Sequence, residues 1–347
     1  MVTLDGAHGE GGGQILRTAL TLSLITGKPF ELVNIRAGRK SPGLRPQHLA
    51  AVQLAARLSD AEISPVRVGS TILRFAPGAL RVGDVDHRIG TAGATGLVLQ
   101  TIHLPIAMHA SERVEVRIVG GTFNEHAPSF PFLEWTWARY MRELGYRLEL
   151  AMPTAGFYPK GGGELVVSIS PGKPRARAIM LRGALARVHG TAIVCNLDNR
   201  GIAERMRDRA AEVVGRGGAP VQIEIERVSG VGQGAAIFLC AEFEPVDEQV
   251  PVRSTFVAIG ELGRRAEAVG AEAANALLRD LNRAGAIDPF SADQLLIPLA
   301  LADGGSQFRT TEITEHLRTN IHTVRSFVDR SIRVMEGEDG SGQVDIE

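Results

Sequence analysis

An order of helix, strand, helix, strand recurs along this chain, and it restricts the fold more than any single motif does. Gln14 to Ile25 carries apolar residues at helical spacing and stops at Gly27 and Pro29; Phe30 to Arg36 alternates as a strand; Pro46 to Leu58 is helical again, and Ile72 to Phe75 is strand-like. The second pass enters through Gly90-Thr91-Ala92-Gly93-Ala94 and runs as a helix to about Met108. A strand from Val114 to Val119, a helix from Phe132 to Leu144 and a strand from Arg147 to Ala151 follow. The third is shorter: helix Asp293 to Leu301, strand Phe308 to Glu312, helix Ile321 to Val328, and closing strands Ile332 to Met335 and Val344 to Ile346. A period of roughly 70 to 80 residues exceeds that of solenoids, so the units are expected to pack as αβ subdomains around a shared centre.

The stretch from Ala178 to Ala286 breaks this order. It reads as strand (Ala184 to Cys195), helix (Ile202 to Val214), two strands (Val221 to Val228 and Ala235 to Phe243) and helix (Leu262 to Ala284), with turns at Gly215 to Gly218 and Ser229 to Gly234. The fold class expected is therefore α/β (α+β). Three repeated αβ subdomains over 1–177 and 287–347 form one large domain, and 178–286 is a smaller αβ domain inserted into it.

Charge narrows the function. The 347 residues hold 38 Lys plus Arg against 39 Asp plus Glu, so no global positive field binds nucleic acid indiscriminately, and any phosphate site must be local. The loop Arg36-Ala37-Gly38-Arg39-Lys40-Ser41-Pro42-Gly43-Leu44-Arg45 crowds four cations onto backbone broken by Gly and Pro, which suits a phosphate clamp. Mean hydropathy is +0.03 and no apolar run is long enough to span a bilayer. The N-terminal residues lack a signal-peptide pattern, so a cytoplasmic protein with no membrane partner is expected. Cys195 and Cys240 lie in apolar runs and match neither a disulfide framework nor a metal spacing; they are expected to be buried thiols.

In each unit the loop after a strand is rich in reactive or rigid groups: Arg36 to Arg45, Gly120 to Pro131, and Thr314 to Asn320. Packing around one centre would merge them into a composite site. His316 is expected on a strand-to-helix loop, with Thr319 or Asn320 capping the next helix, whose N-terminus would favour the neutral, nucleophilic imidazole. Gly9-Glu10-Gly11-Gly12-Gly13-Gln14 opens the first helix, and its glycines let backbone amides approach an anion; it lacks the Lys-Ser or Lys-Thr of a Walker A loop. Glu10 beside such an anion is either a helix-capping residue or a metal ligand.

Together these segments resemble the RNA 3'-terminal phosphate cyclase family. The likeness lies in Leu4-Asp5-Gly6 with Gly9 to Arg17, Ile35 to Arg39, Pro42-Gly43-Leu44 and Gln47-His48-Leu49. It continues through Leu97 to Gln100, Gly120-Gly121-Thr122 with Ala127-Pro128, Gly156 to Gly163, Ala292 to Leu295 and His316 to Asn320, all in the family's order. The resemblance implies an enzyme that uses ATP and a divalent metal (Mg2+ or Mn2+) to adenylylate a histidine. AMP then passes to an RNA 3'-phosphate, and the 2'-hydroxyl displaces it to leave a 2',3'-cyclic phosphate. Carried over residue by residue, it makes His316 the nucleophile, Glu10 the metal ligand, and Arg17, Arg36 and Arg39 the essential cations. Gln14, Gln47, Gln100, Pro128, Phe132, Phe290, Asp293 and Gln294 become the nucleotide pocket. Chemically, attack on an α-phosphate builds charge on phosphoryl oxygens, which arginines and a cation stabilise, and a phosphoramidate splits one hard step into easier ones.

Phe290 departs from the family, standing where characterised bacterial members carry tyrosine, so stacking on adenine survives without a hydroxyl hydrogen bond. His322 has no counterpart among the motifs and reads as structural; Lys160 lacks the Lys-x-Asp-Gly of lysine ligases and reads as a surface residue in a glycine turn. Two other readings compete: a non-catalytic RNA-binding paralogue in ribosome assembly, and an enolpyruvyl-type transferase on a related fold. The first would have no use for His316 and Glu10, and the second no role for the histidine loop, so the site decides between them. Oligomeric state is not readable from the sequence.

Overall fold

The computed structural model describes residues 1–197 and 201–347. Its first unit runs β1 (Val2–Asp5), α1 (Gln14–Thr26), β2 (Phe30–Val33), α2 (Pro46–Ser59), β3 (Glu62–Ile63) and β4 (Leu73–Ala76). The strands lie in the order β1-β2-β4-β3, with β1 parallel to β2 and the other pairs antiparallel. The second unit comprises β5 (Val85–Arg88), α3 (Thr95–His109), β6 (Val114–Gly120), α4 (Phe130–Phe132), a π-helical turn at Leu133–Trp137, α5 (Ala138–Glu143), β7 (Leu148–Thr154) and β8 (Gly163–Ile169). Its sheet repeats the plan as β5-β6-β8-β7, again with only the first pair parallel.

The third unit is split. Its first strand, β9 (Ala178–Ile179), is followed by β10 (Leu185–Cys195), α6 (Ile202–Arg216), β11 (Val221–Val228), β12 (Gly234–Phe243), β13 (Arg253–Ile259) and α7 (Ala266–Leu281). Only then come α8 (Pro289–Ala300), β14 (Ser306–Thr310), α9 (Glu315–Phe327), β15 (Ile332–Glu336) and β16 (Gly342–Ile346). Strands β9 and β14 pair in parallel across the gap, completing the sheet β15-β16-β14-β9, the same plan for the third time. The intervening strands form their own sheet, β11-β10-β12-β13, against which α6 and α7 pack. The mixed α/β class expected from the sequence is what the chain adopts.

The repeats join through their helices. α1 is buried from Ile15 to Leu16 and from Thr18 to Leu24, as befits a helix enclosed on all sides, and packs against α9 and α3. Thr21 of α1 donates its hydroxyl to the Thr101 carbonyl of α3 (2.8 Å), satisfying a polar group at that buried contact. Phe30 stacks on Phe75 within the first unit, at 5.6 Å between centroids, and meets Phe327 of α9 edge-on at 6.1 Å, so the first and third units share one core. Gly27 ends α1 in the left-handed region, its N–H returning to the Ser23 carbonyl, and Pro46 opens α2, as the pattern of stops and starts predicts.

Several boundaries differ from expectation. The helix expected over Phe132 to Leu144 is α4, a π-turn and α5 in succession; the helix expected over Leu262 to Ala284 is limited to α7. Strands β1, β3, β5, β8, β9 and β13 went unread, most of them too short for a period-2 pattern to register. The last helix begins at Glu315, not Ile321. Thr314 is its N-cap, its hydroxyl accepting from the Leu317 N–H at 3.1 Å, while Thr319 and Asn320 lie inside the helix and are fully buried. The polar Asn320 on the core-facing stripe hid the first turns from a search for apolar periodicity.

The sheet of the split-in segment is fastened to the π-turn and α5. Thr136 and Thr255 share a hydrogen bond of 2.7 Å, and the Tyr140 hydroxyl donates to the Arg253 carbonyl (3.0 Å) while accepting from the Arg253 N–H (3.1 Å). Tyr140→Phe leaves both Arg253 backbone groups without that partner in a buried place. Urea denaturation is expected to show a loss of about 1–3 kcal/mol; unchanged stability would mean that the attachment does not depend on this hydroxyl.

Candidate active site

The loop from β1 to α1 is shaped by glycines. Gly9 and Gly11 take positive φ angles of 58° and 59°, and a Cβ on Gly9 would stand 2.1 Å from Thr319 Oγ1, a collision. A Cβ on Gly12 would lie 2.2 Å from Glu10 Oε1. The glycines thus let this loop lie against the first turns of α9 and leave room for the Glu10 carboxylate. The Glu10 N–H donates to Thr319 Oγ1 at 3.3 Å, fixing the loop to the helix that carries His316.

Glu10 Oε2 then lies 3.0 Å from His316 Nε2 and accepts from Arg39 Nη2 at 2.8 Å. Burial pushes the Glu10 carboxyl up, but the hydrogen bond and charge of His316, with Arg39 and Arg17 nearby, outweigh it and leave the pKa below the ordinary value. For His316 the same bond works in the opposite direction. Glu10 raises its pKa against partial burial, Asp293 adds to the rise, and Arg17 opposes it. The carboxylate therefore overrides the helix-terminus preference for a neutral ring, contrary to the expectation from sequence.

Two helices behind this contact fix the remaining groups. Asn320 of α9 donates to the Asp293 carbonyl of α8 (2.6 Å) and accepts from the Thr18 hydroxyl of α1 (2.6 Å), tying three helices at one buried amide. Asp293 is partly open to the pocket, but its Oδ1 is shut off from solvent and has no hydrogen-bond partner. Burial raises its pKa to about 7, against the pull of His316 and Arg17. Arg17 donates to Gln14 Oε1 at 2.6 Å, and Gln100 of α3 donates to Gln294 of α8. His48 packs beneath Gly13, whose Cβ would meet its Nε2 at 2.3 Å; burial and three nearby arginines hold it neutral, with a pKa of about 3.

A pocket of about 510 Å³ opens beside His316. Gln14, Arg17, Gln100, Pro128, Phe132, Phe290, Asp293 and Gln294 all line it, together with His316. The loop Asn124 to Ser129 lines it too, so the three loops picked out from the repeats do converge. Arg36 and Gln47 stand apart. Arg36 Nη1 donates to the carbonyls of Ser41 and Gly43 (2.7 and 3.0 Å) and so folds its own loop, while Gln47 Oε1 accepts from the Ala94 N–H at 3.2 Å, bracing the entry of α3. Sequence reasoning overlooked a wall of the pocket: Thr255 to Ile259 of β13, Arg264, and Glu272, Ala276 and Arg279 of α7. The spacing of the α7 residues, four and then three apart, is the face of one helix, but nothing marked which face would meet a cavity.

Other expectations concern groups away from the pocket. His322 is exposed and stacks on His8 at 4.0 Å, and Lys160 is exposed in its glycine turn. Cys195 and Cys240 are both buried, as their apolar runs led one to expect. Among the described residues, no helix is long and apolar enough to cross a membrane.

As a place for a divalent cation, the site offers the Glu10 carboxylate beside His316: Oε2 is taken by His316 and Arg39, but Oε1 makes no hydrogen bond or ion pair among the described residues. That fits a magnesium-like ion, which commonly takes one or two carboxylates and fills its shell with substrate phosphate oxygens. A second set of ligand atoms, from His189, Cys240 and Glu242, lies within 4.8 Å of one another on β10 and β12. There Glu242 is already bonded to Arg187 and Arg253, so its charge is spent on guanidinium groups.

A carboxylate-tethered histidine, with arginines close by, at the edge of a cavity is an arrangement suited to phosphoryl chemistry. The model of the RNA 3'-terminal phosphate cyclase family matches residues 8–334, and the chain belongs to that family. It is similar to curated RNA 3'-terminal phosphate cyclases. One, from Ralstonia nicotianae, is 43% identical over 98% of this chain and 95% of that protein. Another, from Pyrobaculum neutrophilum, is 42% identical over 94% of this chain and 93% of that protein. A third, from Ectopseudomonas mendocina, is 42% identical over 95% and 94%. The protein is an enzyme of this type, and the family implies RNA as its substrate.

Because Glu10 is the leading cause of the raised His316 pKa, Glu10→Gln is expected to lower the imidazole titration midpoint, read by NMR of the labelled ring. A midpoint that stayed put would show that the carboxylate does not govern the ring.

Proposed function

We propose that this enzyme converts an RNA 3'-terminal phosphate to a 2',3'-cyclic phosphate at the expense of ATP, through a histidyl-AMP on His316 and an RNA(3')pp(5')A intermediate. The observation that carries this reading is the His316 Nε2–Glu10 Oε2 contact of 3.0 Å at the mouth of a pocket that Arg17, Gln14, Gln100 and Gln294 also line. A ring so placed, with Arg39 on the same carboxylate, also favours catalysis over a purely RNA-binding role. In this reading residues 1–177 and 287–347 form the catalytic domain, and 178–286 is an inserted domain.

Attack requires a lone pair on Nε2, so the proton it shares with Glu10 leaves first, and that carboxylate is the acceptor within reach. Nε2 then bonds to the α-phosphorus of ATP, the α–β bridging P–O bond breaks, and pyrophosphate departs with the electron pair. Arg17 and Arg39 stabilise charge on the phosphoryl oxygens. In the second step an oxygen of the RNA 3'-phosphate takes the AMP and the N–P bond breaks, returning the pair to His316. In the third, the 2'-oxygen bonds to the 3'-phosphorus, its proton is lost, and AMP leaves.

The adenine is assigned to the part of the pocket lined by Pro128 and by Phe290, which is 56% exposed and has the buried Phe256 edge-on to it at 6.1 Å. Gln14, Gln100 and Gln294 supply amides for the nucleotide, and the buried Phe132 supplies apolar lining. Arg36 acts by holding the loop that presents Arg39, and Gln47 by holding the second unit's entry. A divalent cation held by Glu10 would neutralise triphosphate charge.

His316→Ala is expected to abolish acid-labile labelling by α-labelled ATP, and His322→Ala to leave it intact; labelling of the His316 variant at the wild-type level would sink the mechanism. Glu10→Ala is expected to slow single-turnover adenylylation about 100-fold or more while melting as the wild type does. The reactive ring is the neutral one, and its pKa is raised. The wild-type adenylylation rate should therefore climb with pH through a midpoint above 6.5, and a rate that fell over that range would contradict the assignment.

A further inference from the structure

The charged groups around the pocket can be matched off. His316 is bound to Glu10, Arg17 to Gln14 with Glu10 and Asp293 near, and His126 sits 3.7 Å from Glu125. Arg264 is paired with Glu272. Arg279 remains: it lines the pocket, is exposed, and makes no hydrogen bond or ion pair among the described residues. It stands on α7, three residues after Ala276 and seven after Glu272, so these three side chains form one stripe facing the cavity. Ala276 leaves open the space that a larger residue would fill. The rest of this wall, from Thr255 to Ile259, is mostly apolar.

The same cavity is lined, from α1, α3, α8 and α9, by Arg17, the glutamines, Asp293 and His316. An adenylate held there already has cations and amides around it. The exposed guanidinium of Arg279 in the same lining has no assigned anion, although an RNA strand whose 3' end reaches His316 must leave the pocket past its exposed edge. Its next phosphodiester is an anion that a guanidinium binds through paired N–H donors. We infer that Arg279 of α7 binds the backbone phosphate next to the RNA 3' end, so that the segment split into the third unit is the part of the enzyme that holds the RNA strand. This inference rests on the function proposed above.

The experiment separates the two half-reactions. With full-length Arg279→Gln, histidyl-AMP formation from ATP is measured without RNA, and cyclisation is measured on a 3'-phosphorylated oligonucleotide and on a nucleoside 3'-phosphate, which lacks the neighbouring phosphate. The expected result is a KM for the oligonucleotide raised about tenfold or more, with kcat and the nucleoside 3'-phosphate reaction changed far less. Arg279→Lys should recover the salt dependence but only part of the KM, since lysine restores the charge without the paired donors. The salt dependence of oligonucleotide binding, read by fluorescence anisotropy, should flatten by about 0.7 in log–log slope for the one lost contact to a single strand. An unchanged KM and slope would overturn the inference. So would a loss confined to histidyl-AMP formation, which would assign the arginine to ATP. If the wild type forms no histidyl-AMP, the proposed function fails, yet the anisotropy comparison still decides whether Arg279 touches RNA.

Discussion

Everything that makes this chain reactive hangs on one carboxylate. Glu10 brings together an imidazole at the start of α9 and a guanidinium on a loop of another repeat, and it does so with its own side chain nearly shut off from solvent. An ionised carboxylate taken from water is costly unless it is bonded, and here two cationic partners supply the bonds. The pairing also sets the state of His316: an anion at hydrogen-bond distance favours the imidazolium, and the ring becomes a nucleophile only when that proton moves. A helix N-terminus, which favours the neutral form, is the weaker influence at this distance.

Placing Glu10 requires a chain of local fits. Gly9 must accept a positive φ and the close approach of Thr319; Gly12 must leave space for the carboxylate itself; and Thr319 must turn its hydroxyl to the Glu10 N–H. Asn320, the next residue, holds α9 to α1 and α8 through one amide whose two ends are both satisfied. A buried amide of this kind tolerates little displacement, because losing either partner leaves a polar group unpaired in the core. The two neighbouring residues thus set the distance between His316 and Glu10 from the inside of the protein.

The segment between β9 and α8 gives the pocket its second wall. It leaves and re-enters the third unit, and at the point of return Asp288 caps α8, its carboxylate accepting from the Phe290 and Ser291 N–H groups at 2.9 Å. That cap sets Phe290 at the pocket rim, against Phe256 of the intervening sheet. A cavity built at a junction of this sort is lined from both sides, which is where binding sites commonly form.

How much could be read without the fold depends on which kind of signal each residue gave. The repeat was legible because apolar spacing and glycine or proline stops are local, and α1, α2, α3 and β6 fall close to where these signals put them. The buried thiols followed from their apolar surroundings. Part of the pocket lining, from Gln14 and Arg17 to Asp293, Gln294 and His316, became legible once the ordered motifs were set beside a family. What stayed hidden was decided across the chain. Four arginines and lysines share the loop from Arg36 to Arg45, and their order alone does not reveal that Arg39 reaches Glu10 while Arg36 folds back onto Ser41 and Gly43. A buried Asn320 looks like a helix breaker until its partners on two other helices are seen. The stripe of Glu272, Ala276 and Arg279 is an ordinary helix face until β13 and α8 turn it toward a cavity. Residue type and spacing determined the repeated units and the chemistry the chain could offer; only tertiary packing decided which of those groups meet, because a hydrogen bond is settled at 3 Å and periodicity carries no information about distance between loops.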